Sequence, residues 1–148
     1  MPAISPQGEQ LIQRFEGCRL AAYPDPASSG DPWTIGWGST GKDIHQGLTW
    51  TQAQADARLH TDLARCSAGV AALLGDTPTS QPQFDALCCF AYNVGMGNLR
   101  ASSLLRHHRA GRFAQAGAEF ARWDKAAGKP LAGLAQRRAA EAALYLAP

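Results

Sequence analysis

The chain has 148 residues, 45% of them hydrophobic and 18% charged, with a formal net charge of +2 and a pI near 8.5. That length buries a core of its own, as one domain or one domain with a small lobe, and no stretch is apolar for long enough to cross a bilayer. So small a charge argues against nucleic acid as a partner, while leaving an anionic wall or membrane surface open.

Residues 1–17 lack the basic and apolar regions of a secretory signal, so the protein is expected to stay in the cytoplasm that made it until something releases it. Ser5 followed by Pro6 reads as an N-cap with proline at the first helical position. Leu11, Ile12 and Phe15 form one apolar stripe, and Gly17 suits a left-handed stop. Glu16 therefore sits on the last turn of a short helix. The negative end of the helix dipole disfavours its charged form, which favours a proton donor.

From Cys18 to about His45 the pattern changes to glycines, prolines and aromatics, the signature of short antiparallel strands with tight turns. Asp25-Pro26 and Asp31-Pro32 bracket a loop. Trp33-Thr34-Ile35-Gly36-Trp37-Gly38 reads as a strand with alternate residues facing a groove.

Thr51 with Gln54 forms a capping box, predicting a long helix to about Leu74 that stops at Gly75. Its expected buried positions are Ala53, Ala57, Leu59, Leu63, Val70, Leu73 and Leu74. Ser80 with Gln83 opens a second helix carrying Phe84, Leu87, Phe90, Ala91 and Val94, ended by Gly95-Met96-Gly97. Shorter helices are expected over about residues 102–109, 112–123 and 134–146.

Cys18, Cys66, Cys88 and Cys89 have no CxxC or zinc spacing and read as reduced, mostly buried thiols. A redox role for Cys18, two residues past Glu16, is the sharper and less favoured reading. The four histidines make no metal motif, His60 and Asp56 are an i, i+4 surface pair, and no glycine loop would cradle a phosphate. No cofactor and no metal is expected.

Singly, Glu16 is an ordinary surface acid, Asp25 an ordinary turn residue and Thr34 an ordinary strand residue. Their conjunction with Gly17, Tyr23, Gly36 and Gly38 changes that weighting. Glu16, an eight-residue gap, Asp25, and then Thr34-Ile35-Gly36-Trp37-Gly38 resemble the phage-type lysozymes, the endolysins of glycoside hydrolase family 24. The likeness continues through Phe90-Ala91-Tyr92-Asn93-Val94-Gly95, Ser103-Leu104-Leu105, Phe120-Ala121-Arg122-Trp123, Gly133-Leu134 and Arg137-Arg138-Ala139-Ala140-Glu141. Two departures stand out. Eight residues rather than five separate Asp25 from Thr34, and Ser39 stands where these enzymes often carry histidine.

The resemblance implies an α+β, mainly helical, lysozyme-like fold in one catalytic domain over residues 1–148. An N-terminal helix and small β lobe would span about residues 1–48 and a helical lobe about 49–148, with a cleft between them. It implies hydrolysis of the β-1,4 bond between N-acetylmuramic acid and N-acetylglucosamine in bacterial peptidoglycan. Glu16 would be the general acid, with Asp25 and Thr34 positioning water for inversion. A carboxyl gap of about 6.5–9.5 Å would leave room for that water.

By the same resemblance Tyr92, Ser103 and Thr40 line the sugar groove, although Tyr92 is equally well read as a core residue. Trp123 and Phe120 read as core. Arg137 and Arg138 read as solvated charges, one of which could pair with Glu16. A lytic transglycosylase and an inactive wall-binding protein are the alternatives. A holin would release the protein from the host cytoplasm, and it is expected to be a monomer that neither binds nucleic acid nor inserts stably in a membrane.

Overall fold

The computed structural model describes residues 2–26 and 28–148. The architecture is the expected one, α+β and mainly helical. Its elements are α1 (Pro6–Glu16), β1 (Arg19–Tyr23), β2 (Thr34–Gly36), α2 (Gln52–Leu74), α3 (Gln81–Val94), α4 (Met96–Ala101), α5 (Ser103–Arg109), α6 (Phe113–Glu119), a 3-10 turn (Phe120–Arg122), β3 (Lys125–Ala126), β4 (Lys129–Pro130) and α7 (Ala132–Tyr145).

Helix starts follow local chemistry. Ser5 accepts at its carbonyl from the Glu9 amide (3.0 Å), and its hydroxyl accepts from the Gly8 amide (3.4 Å), while Pro6 fills the first helical position. Thr51 and Gln54 exchange side chain–backbone bonds of 2.8 and 3.2 Å. Ser80 and Gln83 do the same at 2.9 and 3.2 Å. Both capping boxes stand where the sequence put them.

Two compact units divide the chain: residues 12–65, and the remaining described residues. In the first, β1 and β2 pair antiparallel with Arg19 opposite Gly36 and Tyr23 opposite Thr34, and an irregularity lies between those pairs. The strand expected over residues 33–38 is shorter than that. It ends at Gly36, because Gly36 (φ 65°) and Gly38 (φ 88°) reverse the chain so that Ile35 pairs with Ser39. Ile12, Ile35, Ile44, Ala55, Leu59 and Leu63 are its buried apolar residues.

The second unit is built on α3, whose residues from Phe84 to Ala91 are all buried. Phe90 meets Phe120 and Trp123 edge-on at 5.5 and 5.3 Å, and Phe120 meets Tyr145 at 5.5 Å. The expected stop at Gly95-Met96-Gly97 is instead a helix junction. Gly95 (φ 98°) ends α3 and caps α4, which begins at Met96. On α2 the expected Ala53 and Ala57 are exposed and Leu73 half-buried, whereas Ala55, Cys66 and Ala71 are buried. The stripe set by Leu59, Leu63, Cys66, Val70 and Leu74 runs back to Ala55.

His108 is fully buried in this unit, with Nδ1 2.6 Å from the Tyr145 hydroxyl and Nε2 2.8 Å from Thr79 Oγ1. The Thr79 hydroxyl donates to the Thr77 carbonyl (3.1 Å). Nε2–H therefore donates to Thr79, and Nδ1 accepts from Tyr145, which fixes a neutral tautomer. Burial pushes the His108 pKa below its ordinary 6.5. The unfolded chain then binds the extra proton, so stability is full above about pH 6.5 and falls as the pH drops through the folded value. Urea midpoints at pH 7.5 and pH 5 should differ in the wild type, and the difference should shrink in His108→Gln.

Candidate active site

Glu16 is the last residue of α1. Gly17 then turns left-handed (φ 65°) with its amide bonded to the Gln13 carbonyl at 3.0 Å, which leaves Glu16 half-buried beside the hairpin loop. Gly38 lies against it. A Cβ added at Gly38 would stand 2.8 Å from Glu16 Oε2 and 3.0 Å from its carboxyl carbon. Since Gly38 also sits at φ 88°, the backbone favours glycine there, and a Cβ would displace the neighbouring carboxyl.

Gly38→Ala should therefore cost about 1–2 kcal/mol of stability from the left-handed backbone alone. It should also push the Glu16 carboxyl out of place, and a misplacement of roughly 1 Å can lower a rate by about 10²-fold. Thermal melts beside a wall-lysis assay check both effects. Unchanged lysis would mean that the glycine is there for the backbone alone.

Tyr23 joins Glu16 to Thr34. It faces Thr34 across the β1–β2 ladder, and the Thr34 side chain pulls its pKa down. The Arg19 guanidinium lies 4.2 Å from the centre of its ring. Burial first, and then the nearby Glu16 charge, hold the Tyr23 pKa above its usual range against the opposing pull of Arg19 and Thr34. Glu16, Tyr23, Thr34 and Gly38 thus share one neighbourhood.

Asp25 stands at the foot of the lengthened loop. Its amide donates to the Gly30 carbonyl (2.9 Å), and its own carbonyl accepts from the amides of Ser28 (3.2 Å) and Ser29 (2.7 Å). The extra residues close back on Asp25, and Thr34 keeps its register with Tyr23. That is how the longer loop is absorbed. Ala27 lies outside the described residues.

Ser39 is buried, and its hydroxyl donates to Asp62 at 2.6 Å. Arg58 reaches Asp62 (3.0 Å), Asp43 (2.8 Å) and the Thr40 carbonyl (2.9 Å), so the loop end is held by this network without a histidine. Thr40 itself is exposed. Trp37 Nε1 and the Gln52 amide both donate to Asp56, at 2.8 and 2.9 Å, and hold its carboxyl below the usual range.

The remaining expected contacts belong to the other unit. Tyr92 is half-buried on α3 and packs against the aromatic core, while Ser103 opens α5 with its hydroxyl accepting from Arg106 at 3.1 Å. Phe120 is core, as expected. Trp123 is only half-buried and has a second face on a pocket. The solvated charges expected at Arg137 and Arg138 are a correction: both are buried, 3% and 1% exposed, around the fully buried Glu141. On one helix face Glu141 forms ion pairs with both arginines, and no spacing in the sequence marks that face as internal.

Cys66, Cys88 and Cys89 are buried free thiols, and Cys18 is half-buried. The Cys66 contact first, and then burial, push the Cys88 thiol far up, so it stays protonated. Among the described residues no three His, Cys, Asp or Glu side chains gather into a metal-binding group, and no helix is long and apolar enough to cross a membrane.

Comparison with known proteins gives a consistent picture. The phage lysozyme family profile matches residues 13–141. An endolysin of Bacillus phage PZA is 45% identical over 142 residues, covering 96% of this chain and 54% of the relative. An endolysin of Acyrthosiphon pisum secondary endosymbiont phage 1 is 42% identical, covering 96% of this chain and 97% of the relative. The muramidase domain of SpmX from Asticaccaulis excentricus superposes with a TM-score of 0.88 at 36% identity, covering both chains fully. The chain spans about half the length of the Bacillus phage endolysins it matches.

Proposed function

The chain belongs to the phage lysozyme family, and from that premise we propose that it hydrolyses the β-1,4 bond between N-acetylmuramic acid and N-acetylglucosamine in bacterial peptidoglycan. The observation that carries the reading is the Glu16 neighbourhood: a carboxyl at a helix end, lying against a left-handed glycine whose added Cβ would press on it, with its charge felt by Tyr23, the cross-strand partner of Thr34. The likeness to proteins named endolysin and muramidase supplies the substrate class.

In this reaction the glycosidic oxygen leaves only if it receives a proton, which Glu16 donates. Positive charge then builds on the sugar ring, and the Asp25 carboxylate offsets it. Asp25, with Thr34, holds the water that attacks the opposite face, so the configuration inverts. Tyr92, Ser103 and Thr40 contact the sugars. The enzyme acts as a monomer, without cofactor, metal or nucleic acid. It waits in the host cytoplasm for a holin, without inserting stably in the membrane.

A turbidity assay on Gram-negative cells stripped of their outer membrane tests the function. The optical density should fall as soluble fragments appear. Binding to the sacculi with no fragment release would contradict the reading.

A further inference from the structure

The turn that sets Gly38 against Glu16 has little stiffness of its own. Gly36 (φ 65°) and Gly38 (φ 88°) bring no side chains to it, and the backbone closes it through two Ile35–Ser39 bonds of 3.0 and 2.9 Å. Its support comes from α2. Ala55, Arg58 and Asp62 are three and four residues apart, so they share one face of that helix.

Each meets a different part of the turn. A Cβ added at Gly36 would stand 3.4 Å from the Ala55 Cβ and 3.1 Å from the Trp50 ring, so the backbone there rests on both. The buried Ser39 hydroxyl donates to Asp62 Oδ2 at 2.6 Å. Arg58 uses all three of its nitrogens. Nε donates to Asp62 Oδ1 at 3.0 Å, Nη1 to Asp43 at 2.8 Å and Nη2 to the Thr40 carbonyl at 2.9 Å. A planar fork holds three partners at fixed angles, which a single ammonium cannot do. The chain on both sides of Gly38 is therefore tied to α2 by charge-assisted bonds, at Ser39 and at Thr40.

We propose that Arg58 and Asp62 are positioning residues, which through Ser39 and Thr40 hold the turn where Gly38 bounds the Glu16 carboxyl for proton transfer. Both act through the turn and not on the substrate. When the turn shifts, the wall beside the acid shifts with it, and a misplacement of roughly 1 Å can lower a rate by about 10²-fold. The role of Glu16 as acid rests on the muramidase reading, whereas the frame around the turn does not.

The test compares Arg58→Lys and Ser39→Ala with Val70→Ala, a control on the same helix whose side chain belongs to the core of the other unit. Arg58→Lys keeps the charge and loses the fork, and Ser39→Ala changes no charge at all. Well below the melting points, both should lower kcat on solubilised wall glycan by about tenfold or more with KM close to wild type. Tyr23, followed by NMR of ring-labelled tyrosine, should ionise at lower pH in both, because it feels the Glu16 charge. Val70→Ala should lower the melting point and move neither readout. An unmoved Tyr23, or a kcat loss no larger than that of Val70→Ala, would overturn the proposal. A wild type that releases no fragments, with Tyr23 shifted in both variants, would keep the frame and end the muramidase reading. Fragment release by the wild type with both readouts unmoved in the variants would do the reverse.

Discussion

Glu16→Gln is expected to lower wall hydrolysis by about 10²–10⁴-fold, the range that a positioned proton donor contributes. The amide keeps the volume and hydrogen-bonding shape of the acid, so the variant should fold. It should even melt slightly higher, because Glu16 ends α1, where a negative charge opposes the helix dipole by roughly 0.3–1 kcal/mol. A third readout comes from Tyr23. The Glu16 charge is one of the two causes that raise its pKa, so ultraviolet titration of the variant should show a tyrosine ionising at lower pH than in the wild type. Loss of activity with a raised melting point and a lowered Tyr23 pKa separates a missing proton donor from a damaged fold.

Glu141→Gln should have the largest effect on stability, about 3–5 kcal/mol, the cost of leaving buried charge without its partner. The Glu141 carboxylate lies 3.2 Å from Arg137 Nε and 2.7 Å from Arg138 Nε, and Arg138 Nη2 donates to it at 3.0 Å. Arg137 also donates to the Cys89 carbonyl at 2.9 Å, and the Arg138 guanidinium stacks 5.0 Å from the Phe90 ring centre. This cluster ties α7 to α3. At 2–4 °C per kcal/mol for a chain of this size, the melting point should drop by roughly 6–20 °C. A shift of a degree or two would mean that α7 is held by apolar packing alone.

How much of this could be read in the sequence varied with how local the signal was. Both capping boxes, the Ser5-Pro6 start and the Gly17 and Gly75 stops were visible because each depends on residues three or four apart. The β3–β4 hairpin was not. Its turn uses Ala127 at φ 51° beside Gly128 at φ 79°, and alanine gives no hint of a left-handed backbone. The α4 helix hid behind Gly95 and Gly97, which look like breakers but act as junction and helix residues. The burial of Arg137 and Arg138 depends on α3, more than 40 residues away, and no spacing within α7 reveals it.

At the site, Glu16 and Thr34 stood out through their glycines, but the part played by Tyr23 did not. Only the cross-strand register sets it opposite Thr34. Asp56 was visible merely as the partner of His60, while its stronger contacts come from Trp37 and Gln52. Ser39 looked like a loss where histidine was expected, and Asp62 with Arg58 fills the gap. The pocket beside Trp123 combines residues from four separate stretches, and the core reading of Trp123 concealed it.

The most direct test of the central claim is mass spectrometry of fragments released from purified sacculi in 18O-labelled water, with the anomer formed first read by NMR. Glu16 as proton donor with Asp25 and Thr34 holding the water predicts reducing N-acetylmuramic acid ends carrying one 18O, formed first as the α-anomer. Unlabelled 1,6-anhydro ends would show that no water was used, and labelled ends formed first as the β-anomer would show retention. Either would contradict the account.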